Sequence, residues 1–219
     1  GFILQAHSFP SKIFNPEKKF WFHIMNNEIF KRILSSLILI PLTFFFIIKG
    51  SYLFIFFLLI CLIITIYEWH MMSKKKNYLI YGYFFILFSF YSIYLIRSNP
   101  DENSLFIFFL ITVTCISTDI GGFIFGKVFK GPKLTLISPK KTYSGVFGGY
   151  FLSIIFSIYF VKFSYLLFNI NNDFNTRMLF YTLFISTISQ IGDIIISYFK
   201  RLSKIKDTGK LIPGHGGIL

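Results

Sequence analysis

The stretch Y-L-F-I-F-F-L-L-I-C-L-I-I-T-I-Y-E-W, residues 52–69, decides the fold. As an α-helix it is long enough to cross most of a hydrocarbon core, and its single charged residue, Glu68, stands near its end. Other apolar runs of comparable length lie on both sides of it, at about 33–48, 78–96, 104–125, 143–161 and 178–199. We therefore predict an all-α fold, a polytopic transmembrane helical bundle with about six spans.

The composition of the whole chain agrees with a membrane protein. Of 219 residues, 54% are hydrophobic and 14% are charged, whereas soluble domains have about 45–50% apolar and about 25% charged residues. A soluble enzyme and a disordered chain are therefore excluded, and the two cysteines, each inside an apolar run, exclude a disulfide scaffold. The net charge of +13 is carried by short basic clusters between apolar runs, so we predict no nucleic-acid partner.

The basic residues also predict an orientation. If Lys31 and Arg32 lie in the cytoplasm, alternate loops place 15 Lys and Arg residues on that side and 4 on the other. Cytoplasmic loops carry such an excess in membrane proteins. We expect an integral protein of a bacterial-type inner (cytoplasmic) membrane, with its active site facing the cytoplasm.

The two ends of the chain differ from the rest. Residues 1–24 have no apolar period, and Met25 opens a short basic leader before the first span, so we expect 1–24 to be a non-native or upstream extension. Residues 25–219 then form one membrane-embedded catalytic domain. Because Leu219 follows a Gly-rich turn directly, we expect this domain to be incomplete at its C-terminus.

Asp119 belongs to the first of three polar motifs, S-T-D-I-G-G-F-I-F-G at residues 117–126. It stands near the end of an apolar run, where a charged side chain is costly and commonly functional. The alternative is helix packing through the small residues, with Asp119 as an interfacial cap. Glu68 in Y-E-W-H has the same ambiguity: it joins the site or is an interface residue, and Trp69 beside it is typical of an aromatic belt.

The second motif is the loop G-P-K-L-T-L-I-S-P-K-K-T-Y-S-G, residues 131–145. Cations that alternate with hydroxyl groups suit a phosphate ligand. Ordinary loop charge, or attraction to anionic lipid headgroups, is the alternative explanation. The candidate phosphate-binding residues of this loop are Ser138, Lys140, Lys141 and Ser144.

The third motif is Q-I-G-D at 190–193 with the polar segment 197–217 behind it. A buried Asp193 near Gln190 and Ser197 suits Mg²⁺, which prefers oxygen ligands, although a structural Asp–Lys pair is an alternative. Beyond it follow cations and a glycine-rich turn with exposed N–H groups suited to phosphate. The residues concerned are Lys200, Arg201, Lys206, Lys210, His215, Gly216 and Gly217. Together the motifs favour metal-assisted phosphoryl or nucleotidyl transfer at a membrane surface.

Residues 197–218 resemble the phosphatidate cytidylyltransferases, also called CDP-diacylglycerol synthases. The family signature runs S-x-(apolar)-K-R, then K-D after four intervening residues, and later P-x-H-G-G-(apolar). This chain has every one of these residues between Ser197 and Ile218. The S-T-D, S-P-K-K-T and Q-x-G-D stretches also look like this family. The resemblance covers about residues 25–219, but the family pattern continues into D-R-x-D, with a further metal-binding Asp, beyond Leu219.

The resemblance implies an Mg²⁺-dependent nucleotidyltransferase of phospholipid synthesis. It would transfer a cytidylyl group from CTP to phosphatidate, giving CDP-diacylglycerol and pyrophosphate. Its implied partners are CTP, phosphatidate and membrane lipid, with a homodimer as a candidate assembly. Asp193 is the implied metal ligand, with Asp119 as a second candidate. The implied catalytic residues are Asp193, Lys200, Arg201, Lys206 and Asp207, and phosphate binding falls to Ser138, Lys140, Lys141, Ser144, Lys210, His215, Gly216 and Gly217.

Two other functions remain as alternatives. A CTP-dependent kinase of a polyprenol-type lipid would use similar parts, although the long signature argues against it. A non-enzymatic transporter or channel subunit would also have several spans with charged residues, but it would not need a Lys-rich segment followed by H-G-G outside the membrane.

Overall fold

The computed structural model of the chain describes residues 16–74, 76–101, 103–135, 138, 141–168, 173–205, 208, 209 and 217. These residues form α-helices and, among them, a single isolated bridge between Lys133 and Thr142. The helices are α1 (Pro16–Lys49), α2 (Ser51–Ser73), α3 (Leu79–Ser98), α4 (Ser104–Val128), α5 (Tyr143–Phe168) and α6 (Thr176–Leu202). The predicted all-α helical bundle is confirmed.

Each predicted span corresponds to one helix, although Tyr78 precedes α3 and α1 begins 17 residues before its predicted span. By length and composition, α2 to α6 are all able to cross a membrane, and the apolar part of α1 is Ile33–Lys49. Helix α1 begins at Pro16 and continues through the boundary expected at residue 25. That boundary therefore does not coincide with the start of a helix, and the origin of 1–24 stays a prediction.

A tight hairpin joins α1 to α2. Gly50 alone separates the two helices, and its φ of 62° is in the region that glycine adopts most easily. Arg97 from α3 closes the same corner, because its Nε–H donates to the Ile47 carbonyl at 2.9 Å. The carbonyl groups at the end of a helix lack partners within that helix, so Arg97 satisfies one of them for α1.

Many of the large apolar side chains lie on the outside of the bundle, whereas its most deeply buried side chains are mostly small and polar. Phe84, Phe88 and Leu166 are each at least 70% exposed, on faces that would meet lipid. The interior holds hydroxyl groups instead, among them Thr114, Thr118, Ser153, Ser157, Thr182 and Ser186, all nearly inaccessible. Small residues and hydroxyl groups allow close packing of helices where lipid removes the usual hydrophobic drive.

Helices α4 and α5 form the closest pair. The buried face of α5 repeats small residues every three to four positions, including Gly145, Gly149, Ser153 and Ser157. A Cβ at Gly145 would lie 2.8 Å from the Gly122 carbonyl oxygen, so the two backbones touch. Ser157 also shares a 3.1 Å hydrogen bond with Thr114 of α4.

Helix α6 joins this pair through hydroxyl groups and meets α2 and α3 at its C-terminal end. Thr118 donates to Ser186 at 2.9 Å within the bundle. At the end of α6, the Phe199 ring packs edge-on against Trp69 with centroids 5.3 Å apart. The C-terminal ends of α2, α4 and α6 therefore lie at the same side of the bundle as the start of α3 and of α5.

Trp69 differs from its expected place at the membrane interface. It is 3% exposed, and its indole N–H donates to the Leu79 carbonyl at 2.9 Å. Its ring occupies the space where a side chain at Gly82 would stand. The aromatic-belt expectation is wrong because α2 turns this face toward α3 and α6.

Candidate functional site

A cleft of about 230 Å³ opens between the C-terminal halves of α4 and α6 and the start of α5. Pockets that enclose a whole small molecule are typically about 300–1,000 Å³. This cleft therefore suits a phosphate group and an ion, with the rest of a nucleotide or lipid outside it. Its lining residues are Thr118, Asp119, Gly122, Phe123, Lys141, Thr142, Gly145, Val146, Gln190 and Asp193.

Lys141 reaches the cleft because the loop between α4 and α5 folds back on itself. The Leu134 N–H donates to the Lys141 carbonyl at 2.8 Å, and the Tyr143 N–H donates to Pro132 at 3.2 Å. Thr142 then begins α5 as its cap, since its Oγ1 accepts a bond from the Gly145 N–H at 3.2 Å. The loop between α4 and α5 is thus a hairpin, and this hairpin and the Thr142 cap fix the backbone on both sides of Lys141.

The central contact of the cleft is an ion pair between Lys141 and Asp193. Lys141 Nζ lies 2.9 Å from Asp193 Oδ2 and also donates to the Gln190 carbonyl at 3.4 Å. The side chains are 28% and 54% exposed, respectively. Asp193 was expected to be buried, and that expectation is wrong, because its side of α6 opens into the cleft.

Asp119 lies in the same cleft, from the facing helix α4. The lining thus has two carboxylates and one ammonium, with hydroxyl or amide oxygens from Thr118, Thr142 and Gln190. The described residues contain no group of three or more His, Cys, Asp or Glu that could hold a metal. Mg²⁺ in proteins is commonly held by one or two carboxylates together with substrate phosphates and water, so this donor set fits it.

The predicted residues outside the cleft fall into separate places. The Ser144 hydroxyl donates to the Lys130 carbonyl and so fastens the hairpin, and the Ser138 N–H donates to Thr135 Oγ1 at 3.2 Å. Lys200 and Arg201 form the last turn of α6, beyond the cleft. Lys140, Lys206, Asp207, Lys210, His215 and Gly216 lie outside the described residues. The roles predicted for all these residues stay predictions.

Sequence reasoning underestimated Glu68. It is 1% exposed at the C-terminal end of α2, and it accepts a 3.0 Å hydrogen bond from Thr208 Oγ1. Gly217, a predicted phosphate-binding residue, packs against the same carboxylate. The available signal was the charge itself, because an acidic residue at the end of a long apolar run needs a polar partner if it is buried.

The fold and the cleft define a class: a polytopic helical membrane protein with a charged site at the ends of its helices. Residues 78–219 match the family described as the cytidylyltransferase family. The chain is 34% identical to the phosphatidate cytidylyltransferase of Rickettsia bellii (strain RML369-C) over 197 residues, which cover 88% of this chain and 84% of the relative.

Further relatives agree. The phosphatidate cytidylyltransferase of Rickettsia typhi (strain ATCC VR-144 / Wilmington) is 32% identical over 88% of this chain and 85% of its own length. That of Staphylococcus aureus (strain COL) is 38% identical over 56% of this chain and 44% of its own length. No solved structure matches the chain. The chain belongs to the phosphatidate cytidylyltransferase family, as the signature predicts.

Proposed function

We propose that the protein transfers a cytidylyl group from CTP to phosphatidate, releasing pyrophosphate and leaving CDP-diacylglycerol in the membrane. The observation that carries this proposal is the cleft of Lys141, Asp193 and Asp119 between membrane-length helices, toward the side of the bundle where α4 and α6 end. A site there is open to water and lies beside lipid. The names of the Rickettsia and Staphylococcus relatives support the same reaction.

The reaction makes modest demands on the protein. An oxygen of the phosphatidate phosphate attacks the α-phosphorus of CTP, and the bond from that phosphorus to the oxygen bridging the β-phosphate breaks. A phosphomonoester has its second pKa near about 6 and is largely ionised at neutral pH, so no general base is required. Positioning and neutralisation of charge are then the main contributions. Lys141 supplies a fixed positive charge in the cleft, and Lys200 and Arg201 supply more at the end of α6.

Mg²⁺ is part of the proposal, with Asp193 and Asp119 as the residues that would hold it. The charged residues lining the cleft, two carboxylates and one ammonium, sum to −1. Such a lining repels a triphosphate unless a cation is added, and a bound divalent ion neutralises phosphate charge and supports a leaving group.

The type of membrane and the side on which the site lies are also part of the proposal. The cleft lies at the side of the bundle that carries the Lys-rich loops, which agrees with a cytoplasmic site in an inner membrane and gives access to CTP. The homodimer stays a prediction, to be tested by the mass of the purified protein in detergent.

The position of a radioactive label separates this function from the kinase alternative. Purified protein in mixed micelles with phosphatidate, a polyprenol and Mg²⁺ should move label from α-³²P CTP into the lipid phase, and none from γ-³²P CTP. A lipid kinase would transfer the γ label instead, with a polyprenol as acceptor. Label from neither nucleotide in lipid would overturn the proposal and favour the transporter alternative.

A further inference from the structure

A buried carboxylate outside the cleft holds the chain that follows α6. Glu68, near the C-terminal end of α2, is 1% exposed, and its Oε2 accepts a 3.0 Å hydrogen bond from Thr208 Oγ1. Thr208 is itself only 9% exposed, six residues after the end of α6. A carboxylate withdrawn from water needs hydrogen-bond donors, because its burial is otherwise costly.

Two glycines of the same segment also press against Glu68. A Cβ at Gly209 would lie 2.8 Å from Glu68 Oε1, which is closer than van der Waals contact allows. A Cβ at Gly217 would collide with both Glu68 Oε2 and Thr208 Oγ1. Residues 208–209 and residue 217, eight positions further on, therefore converge on a single carboxylate.

The surrounding helices keep Glu68 in a fixed place. Trp69, the next residue, is packed against Phe199 near the end of α6 and hydrogen-bonded to Leu79 of α3. Tyr78 adds a 2.8 Å hydrogen bond to Ser203, just after α6. The end of α2 and the residues just after it therefore contact the end of α6, and Glu68 contacts the residues that follow α6.

From these contacts we infer that Glu68 is a positioning residue of the enzyme: its carboxylate fixes Thr208, Gly209 and Gly217, the described residues of the segment 208–217, relative to the end of α6. This inference rests on the proposed function, because the segment carries the cations and glycines predicted to bind phosphate. Glu68 acts through Thr208 and the two glycines, and it is not a catalytic residue. Misplacing a functional group by about 1 Å is able to cost about 10²-fold in rate, and because this segment is predicted to bind phosphate, loss of the anchor should appear mainly as weaker binding of CTP.

Amide hydrogen exchange of the purified protein in detergent, followed by mass spectrometry, tests the anchor without reference to activity. Glu68→Gln keeps the size and one acceptor but loses the charge, and Gly217→Ala inserts the colliding methyl group. Both should speed exchange of the peptides that contain Thr208, Gly209 and Gly217 by about tenfold or more, the scale of a hydrogen bond to a charged group. Unchanged exchange in both variants overturns the inference.

Enzyme kinetics test whether the Glu68 contacts affect the binding of CTP. Glu68→Gln should raise KM for CTP more than it lowers kcat, and Thr208→Val should do the same, whereas Thr208→Ser, which keeps the hydroxyl, should match the wild type. Thr65→Val is the matched control: Thr65 is buried one turn earlier on α2, and its hydroxyl bonds to the Cys61 carbonyl of its own helix. Faster exchange with an unchanged KM overturns the positioning role, as does a Thr65→Val variant that behaves like Glu68→Gln.

The two proposals fail in different ways. If the wild type forms no CDP-lipid while the exchange results appear as expected, the proposed function is wrong and the anchor stands. If the wild type is active but exchange rises throughout the bundle in Glu68→Gln, the residue is a general stabiliser and the positioning role is wrong.

Discussion

Replacing Lys141 by Met removes the ammonium from the cleft and keeps most of the side-chain volume. The structure limits what this change costs in folding. Lys141 and Asp193 are 28% and 54% exposed, so water screens their 2.9 Å contact. Exposed ion pairs contribute about 0.2–1 kcal/mol to the free energy of unfolding. We therefore expect the unfolding midpoint of Lys141→Met to stay close to that of the wild type.

The expected cost in activity is much larger. Removing one fixed donor that stabilises charge in a transition state costs about 10²–10³ in kcat, or roughly 2.7–4 kcal/mol. Lys141 lines the cleft in which the phosphates would react. The loss of transition-state stabilisation should therefore exceed the loss of folding stability by about 2 kcal/mol or more.

Two measurements on the same preparations test this: thermal unfolding in detergent, and formation of CDP-lipid from α-³²P CTP. Lys133→Met is the matched control, because Lys133 is an exposed lysine of the same hairpin that does not line the cleft. A double variant, Lys141→Asp with Asp193→Lys, keeps the pair but exchanges the charges, and it should remain inactive. Activity within tenfold of wild type in Lys141→Met, or recovery in the exchanged pair, would refute a catalytic role for this charge.

Asp193→Asn should abolish turnover at every Mg²⁺ concentration while the protein still purifies as a folded species; a near-wild-type Mg²⁺ titration would contradict the metal assignment. Gly148→Ala, which places a methyl group against the Phe125 side chain and the Gly121 carbonyl of α4, should lower the free energy of unfolding by about 1–3 kcal/mol, measured by thermal unfolding. Gly192→Ala is its control, since a Cβ there meets nothing within 4 Å, and an equal loss in both would refute the packing argument. In intact cells, Pro100→Cys should react with an impermeant thiol reagent and Lys76→Cys should react only after permeabilisation; the opposite result would reverse the topology.

The spans could be predicted from sequence because length and apolarity alone determine whether a helix crosses a bilayer. The limits of α4, predicted as 104–125 and observed as Ser104–Val128, show that packing changes the extent of a span by only a few residues here. The family could also be predicted, since the segment from Ser197 to Ile218 fixes many residue types at fixed spacings. Both inferences depend on local features of the chain.

The contacts of the site depend on tertiary structure, and there the sequence was insufficient. Lys141 and Asp193 are 52 positions apart, and their pairing depends on the hairpin before α5 and on the rotation of α6. The same rotation explains why Asp193 is exposed rather than buried. Trp69 was expected at an interface, and Glu68 either there or in the site, but the burial of both depends on which face of α2 meets the end of α6.

The backbone contact between α4 and α5 has a consequence for motion. Where two helices touch through Gly122 and Gly145, neither can slide or turn without its atoms overlapping those of the other, so the pair moves as one rigid body. Asp119 stands on α4 and Lys141 on the loop just before α5, whereas Asp193 stands on α6, which is joined to that pair by hydroxyl contacts such as Thr118–Ser186. We therefore expect a wider cleft to require a displacement of α6, which would lengthen the contact between Lys141 and Asp193.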